Sequence, residues 1–534
     1  MSGLPSPLVV PNSGNWIGND GSWSTFSLQV GTPPQPFQVL PSISGQTIYV
    51  PVDEDCAPER MNITDCGFKR GVGVVESRPS LGFQRNKSST WEGVGAYEMD
   101  LGSNLGLTGS AYYGYDNVII GSSQDVLRVE RPAVAAYATP DFWIGQLGLS
   151  NSPVFMNEAN QPISFLSMLK EKGNIPSLSF GYQAGSPVRL TKVTGSLILG
   201  GHDRSRQSNT SLTIPLNPGV VVGLQSISIT TIDGTSKQVL SNGIIATIDT
   251  NTPDMWLPTS VCDELASQLG LTYSPETDRY VIYNEARSAI KSSSPTFSFV
   301  IGSSATGGST IPIEIPYTAL DLQAAYPIFS APAYYFPIRR AANESQITLG
   351  RAFLQEIYLS VDWERSIFNI SQALFNIPPL AQEIVTIEPM NKTSGLIALP
   401  NSKTQSLSIG AIVGIAVGAV GLILLIILGW WFHSRKRNRR DPSQMHPDQP
   451  EDFSTDGKEF AGVRTDHMSK QGCKNRTDLE LDGEQPREMY APLEYYGQAG
   501  HFTELVEAEA PNAIHELPGA VHELSASNEQ VRTK

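Results

Sequence analysis

The chain has 534 residues, more than one hydrophobic core usually serves, so two core-forming lobes plus non-globular segments are expected. With 47 glycines, 38 prolines and only 17% charged residues, it is expected to be mostly β and rich in loops, not a helical bundle. The formal charge of −15 argues against a nucleic-acid partner, because such binding neutralises phosphates with a basic footprint.

Residues 1–30 contain no basic-then-apolar leader, so a processed or truncated N-terminus is expected for a chain whose N-terminal part faces outward. Alternation in Thr25–Val30, a Gly31-Thr32-Pro33-Pro34 turn and the apolar Phe37–Leu40 predict a hairpin, followed after Pro41 by a small-residue turn and a strand at Thr47–Val50. Cys56 and Cys66 bracket a polar stretch that can close as a small disulfide loop, whereas Cys262 and Cys473 have no evident partner. A second strand-turn-strand follows at Gly243–Ile248, Asp249–Thr252 and Met255–Pro258, and two such copies predict two lobes, about 14–190 and 191–375. From 376 to 407 the chain is rich in Pro, Ser, Thr and Asn, as a stalk would be.

Residues 408–432 carry no charge and contain about 20 apolar positions, the length of a bilayer-spanning helix. Arg435, Lys436, Arg437, Arg439 and Arg440 follow at once, which predicts a cytoplasmic C-terminal side and an extracellular or lumenal N-terminal side, at the plasma membrane. Asparagine sequons at Asn62, Asn86, Asn209, Asn343, Asn369 and Asn391 all precede the helix and mark candidate glycosylation sites; Asn475 alone follows it. Gly410, Gly414 and Gly418 form a small-residue stripe on which two helices could pack as a dimer, although glycine is common in membrane helices anyway. Residues 433–534 are expected to be a disordered tail, since 441–534 hold 19 acidic and 8 basic side chains and too little apolar surface to offset ordering.

The stretches VGTPPQPFQV with IYVP, and ATIDTNT with WLP, resemble the two active-site loops of the pepsin-like aspartic peptidases. Gly114-Tyr115-Asp116, Gly145–Leu149, Ile175–Phe180, Gly195–Gly201 and Leu349–Leu354 resemble further family landmarks in the same order, over about 14–375, and the membrane-anchored layout is similar to that of fungal members. The resemblance implies a bilobal fold and a catalytic dyad of two carboxylates that share a proton over a bound water. In the second loop it maps the dyad aspartate onto Asp249 and the loop-locking hydroxyl onto Thr250, with Asn251 in place of the usual glycine.

In the first loop, counting forward from Phe37-Gln38-Val39 and backward from Tyr49-Val50-Pro51 gives one ungapped register, which places Ser42-Ile43-Ser44 where Asp-Thr-Gly belongs. A serine hydroxyl cannot share a proton as a carboxyl does, and Ile43 removes this lobe's locking hydroxyl. Asp53 and Asp55 lie beyond the strand and are poorly placed to substitute, and the family's flap tyrosine falls near Asn104. A nucleophilic Ser42 would need a histidine, and before the membrane segment there is only His202, in a turn that resembles a surface hairpin. No cofactor or metal is expected, since no His or Cys spacing has ligand character. Three readings stay open: an inactive surface module that holds an extended peptide or glycan between its lobes, an active peptidase relying on Asp249, and a scaffold for a signalling tail.

Overall fold

A computed structural model describes residues 3–375, except 58, 62, 122–125 and 191, together with 381–390. The described residues all belong to one compact unit. The proposed membrane helix at 408–432 and the tail lie outside the described residues, among which no helix is long and apolar enough to cross a membrane.

The predicted hairpin is present as Trp23–Val30 against Gln35–Ser42, antiparallel, with Phe26 opposite Val39 and Leu28 opposite Phe37. It belongs to a ten-stranded sheet that builds the N-terminal lobe. An eight-stranded sheet builds the C-terminal lobe, and its alternation is plain in Thr310–Pro316, where Ile311, Ile313 and Ile315 are buried between exposed neighbours. Those isoleucines lie opposite Ile301, Phe299 and Phe297 of Thr296–Gly302, apolar cross-strand pairs worth roughly 0.2–1 kcal/mol each.

A third sheet of six strands takes members from both halves of the chain. Ser179–Ser186 pairs in it, antiparallel, with Ile357–Asp362, and every residue of Ser179–Ser186 is buried. The outermost strand, Leu8–Val9, pairs with Val193–Leu199, so the fold begins before the expected residue 14. It also extends past the expected end at 375, because Ile384–Thr386 pairs with Gly201–Asp203 in the segment assigned above to a stalk. Three residues of ladder were too short a pattern to stand out from their polar surroundings. Their partner strand holds His202, which is half-buried in a strand and not in a surface turn.

Candidate active-site cleft

Two strand pairs set up the centre of the molecule. Gln35–Ser42 runs parallel to Gly145–Gly148 with Ser42 opposite Gly148, and Ile244–Ile248 runs parallel to Thr348–Leu349. Each delivers the loop that follows it to the seam between the lobes, Ser42-Ile43-Ser44 from one side and Asp249-Thr250-Asn251 from the other. Backbone bonds hold the loop bases: Leu149 N–H donates to Ser42 C=O at 2.8 Å and Asp249 N–H to Leu349 C=O at 3.2 Å. Close approach makes the adjoining glycines necessary, since a Cβ on Gly148 would lie 2.5 Å from Thr47 N and one on Gly350 would lie 2.3 Å from Asp254 O.

The two loops are tied by side chains. Ile43 N–H donates to Thr250 Oγ1 at 3.0 Å, as the resemblance implies for Thr250, while Ile43 has no hydroxyl to return the bond. Asn251 makes the larger contribution. Its Oδ1 accepts from the Ser42 hydroxyl at 2.8 Å and its Nδ2 donates to Ser44 Oγ at 2.7 Å, so one amide clamps both ends of the facing loop. Ser42 Oγ also accepts from Gly45 N–H at 2.9 Å, which leaves the hydroxyl engaged as donor and acceptor. Asp249 Oδ1 accepts from Asn251 N–H at 3.0 Å. Burial pushes the Asp249 carboxyl above its ordinary pKa, against the opposing pull of the Asn251 N–H and the nearby Arg351 charge. Arg351 itself is buried, donates to Thr250 C=O at 2.8 Å and pairs with Asp20 at 2.5 Å.

This pair of facing loops is accompanied by a match over residues 25–373 to the family model for eukaryotic aspartyl protease. The chain belongs to that family. It is also similar to aspartic proteinase yapsin-7 of Saccharomyces cerevisiae, 25% identical over 265 residues, which cover 43% of this chain and 42% of that protein. The chain thus spans less than half the length of this relative in the aligned region. Within the aspartyl-protease frame, the hairpin of Glu92–Glu98 and Ser110–Tyr115 is the flap, and it rests on its own apolar cluster that includes Tyr49, Met99, Leu101, Tyr113 and Tyr137.

Asn104 lies in the turn Ser103–Leu105 that joins these two strands and is bonded across the cleft. Its Nδ2 donates to Ser345 C=O at 2.8 Å, and its C=O accepts from Gln346 Nε2 at 2.6 Å. Beneath this clasp lies a cleft of about 480 Å³, walled by Gln146, Trp143 and Leu107 on one side and Thr252, Arg279 and Arg351 on the other.

Asp55 and Asp53 do not reach the loop tips. Asp55 is buried as the partner of fully buried Arg70, whose guanidinium also donates to the carbonyls of Thr139, Phe142 and Trp143. Cys56 and Cys66 form the expected disulfide, with Cα atoms 5.6 Å apart. Cys262 is unpaired and buried, and burial pushes its thiol up to about 12. His202 stands in a different sheet from Ser42. Burial, then the Arg204 charge, lowers its pKa.

Among the sequons, Asn86, Asn209 and Asn343 are exposed. Asn369 is half-buried within a strand, where it accepts from Thr213 at 2.5 Å, and Asn62 and Asn391 lie outside the described residues. Sequence reasoning noted Asn251 as a departure from glycine and missed its clamp. The signal was there, since a side chain set where the family has none must go somewhere, and the polar Ser42 and Ser44 were its available partners. The clasp at Asn104 carried no such signal.

Proposed function

We propose that the ectodomain is a peptidase fold that does not cleave peptides and serves as a membrane-anchored binding or sensing module at the cell surface. The observation that carries this reading is the Asn251 amide bonded to both Ser42 and Ser44. Peptide hydrolysis by a carboxyl dyad needs one group to take a proton from water while the other, protonated, polarises the carbonyl. Ser42 supplies no carboxyl at the dyad position inferred for it, and the Asn251 side chain engages the facing loop directly. Asp249 alone then lacks its proton-sharing partner, and loss of such general acid–base help costs about 10²–10⁴-fold in rate.

The cleft between the lobes is the surface on which a peptide or glycan would be held. Residues 408–432 anchor the module, the basic run after them keeps the tail on the cytoplasmic side, and exposed Asn86, Asn209 and Asn343 suit glycosylation on the outer side. The test is stepwise restoration. The triple variant Ser42→Asp, Ile43→Thr, Ser44→Gly keeps the Asn251 side chain, whereas adding Asn251→Gly removes it. Hydrolysis of a general peptide substrate between about pH 3 and 6, where carboxyl dyads hold one proton, is expected to emerge with the fourth change and to vanish on Asp249→Asn. Cleavage by the unaltered ectodomain that Asp249→Asn abolishes would overturn the reading.

A further inference from the structure

Away from the cleft, the last described segment of the chain is strapped to the body of the fold by a short ladder. Ile384–Thr386 pairs antiparallel with Gly201–Asp203, and Val385 lies opposite His202. Beside the ladder, Arg204 N–H donates to Glu383 C=O at 2.9 Å, Ile387 N–H to Gly200 C=O at 3.1 Å and Glu383 N–H to the Asp203 carboxylate at 3.0 Å. Farther along, Arg365 donates to Glu388 C=O at 2.9 Å and Met390 N–H to the Glu364 carboxylate at 2.6 Å. None of residues 381–390 is fully buried, so polar contacts fasten this strap, and segments of that kind open locally without unfolding the core.

His202 stands in the middle of the ladder. Directly opposed residues of an antiparallel pair share a face with their Cβ atoms about 4.5–5.5 Å apart, which sets the imidazole beside the apolar Val385 side chain. On the sheet beneath, Gly181 makes room for it: a Cβ there would lie 2.8 Å from both Cα and Cβ of His202. His202 Nδ1 is buried without a hydrogen-bond partner among the described residues. Protonation places an N–H and a positive charge in that setting, which costs far more than burying the neutral ring.

The charges that face His202 do not offset this. Arg204, from its own turn, repels a second cation, while Glu383 of the strap and Asp203 are already paired with Arg204 at 3.1 Å and Arg206 at 3.6 Å. Tyr358, from Ile357–Asp362, has its hydroxyl engaged by Asp203 N–H at 2.7 Å.

We infer that His202 is a pH-sensitive latch, and that the strap of residues 381–390 leaves the body of the fold when this imidazole takes up a proton. Burial, then Arg204, holds the folded-state pKa below the ordinary 6.5. The ladder therefore has its full stability above about pH 6.5 and loses it as pH falls through the lowered value. Ten extended residues reach about 33–36 Å, so release lengthens by up to that distance the connection from the fold to the chain beyond residue 390. This latch stands apart from any ligand of the cleft.

The test is amide exchange of the full chain in detergent micelles, expressed at each pH relative to the intrinsic rate of the unstructured peptide. Between about pH 7.5 and 5, protection of Ile384–Thr386 is expected to fall roughly tenfold, while Ser179–Ser186 keeps its protection. His202→Gln and His202→Phe cannot take up the proton, and each, confirmed as folded by its melting curve, is expected to keep the ladder protected at the lower pH. Undiminished protection of the ladder in the parent overturns the latch whatever the variants do. Loss in both variants equal to that in the parent assigns the release to the carboxylates of the strap and overturns the role of His202.

Discussion

Asp249 is an acid held where ionisation is unfavourable, and the sign of its effect on stability follows from that. Its folded-state pKa is raised by burial above the ordinary carboxylate value near 3.9, so the neutral form fits the fold and stability is lost as pH rises through the folded pKa. Asp249→Asn is therefore expected to raise the melting temperature at pH 7 and to change it little near pH 3, where the carboxyl is protonated in both states. Scanning calorimetry at the two pH values checks this; equal shifts at both would remove the buried charge as the cause. The assignment of Ser42 to the dyad position is a reading by counting, from Phe37-Gln38-Val39 on one side and Tyr49-Val50-Pro51 on the other. What Asn251 does was not legible, because its partner Ser42 lies 209 positions away and no local pattern reports which rotamer crosses between loops.

Among the elements, the flap and the wall of the cleft depend on different polar anchors. Asn104 holds the flap tip through two exposed hydrogen bonds, each worth about 0.5–1.5 kcal/mol at most. Asn104→Ala removes the Nδ2 bond to Ser345 and keeps the backbone C=O that accepts from Gln346, so it is expected to speed amide exchange across residues 99–109 modestly while leaving the exchange of Ser179–Ser186 unchanged; exchange equal to the parent in both regions would show that the Nδ2 bond does not hold the hairpin tip. Arg70 is a different case, because its removal leaves Asp55 charged and buried. Arg70→Ala should cost about 3–5 kcal/mol in denaturant unfolding, with loss of order in the Phe142–Trp143 wall. A cost below about 1 kcal/mol would mean that the pair contributes little. Strands with clear alternation, such as Thr25–Val30, were legible from sequence. The short Ile384–Thr386 strand was not, since its pairing with Gly201–Asp203 is long-range and its flanks read as linker.

For the whole molecule, two repeats of strand-turn-strand were enough to predict two lobes, yet not the six-stranded sheet that joins them, because Ser179–Ser186 and Ile357–Asp362 meet only through tertiary packing. The proposed orientation is checked by adding protease to intact cells: the N-terminal region is expected to be removed and an epitope after residue 440 spared. Loss of the tail epitope first would reverse the assignment. The central claim is that this aspartyl-protease fold does not hydrolyse peptides, and the most direct measurement is the initial rate of peptide cleavage by the purified ectodomain from about pH 3 to 6, beside its Asp249→Asn variant. Neither protein is expected to cleave above the enzyme-free rate, and cleavage by the unaltered ectodomain that Asp249→Asn abolishes would show instead that the fold is an active peptidase.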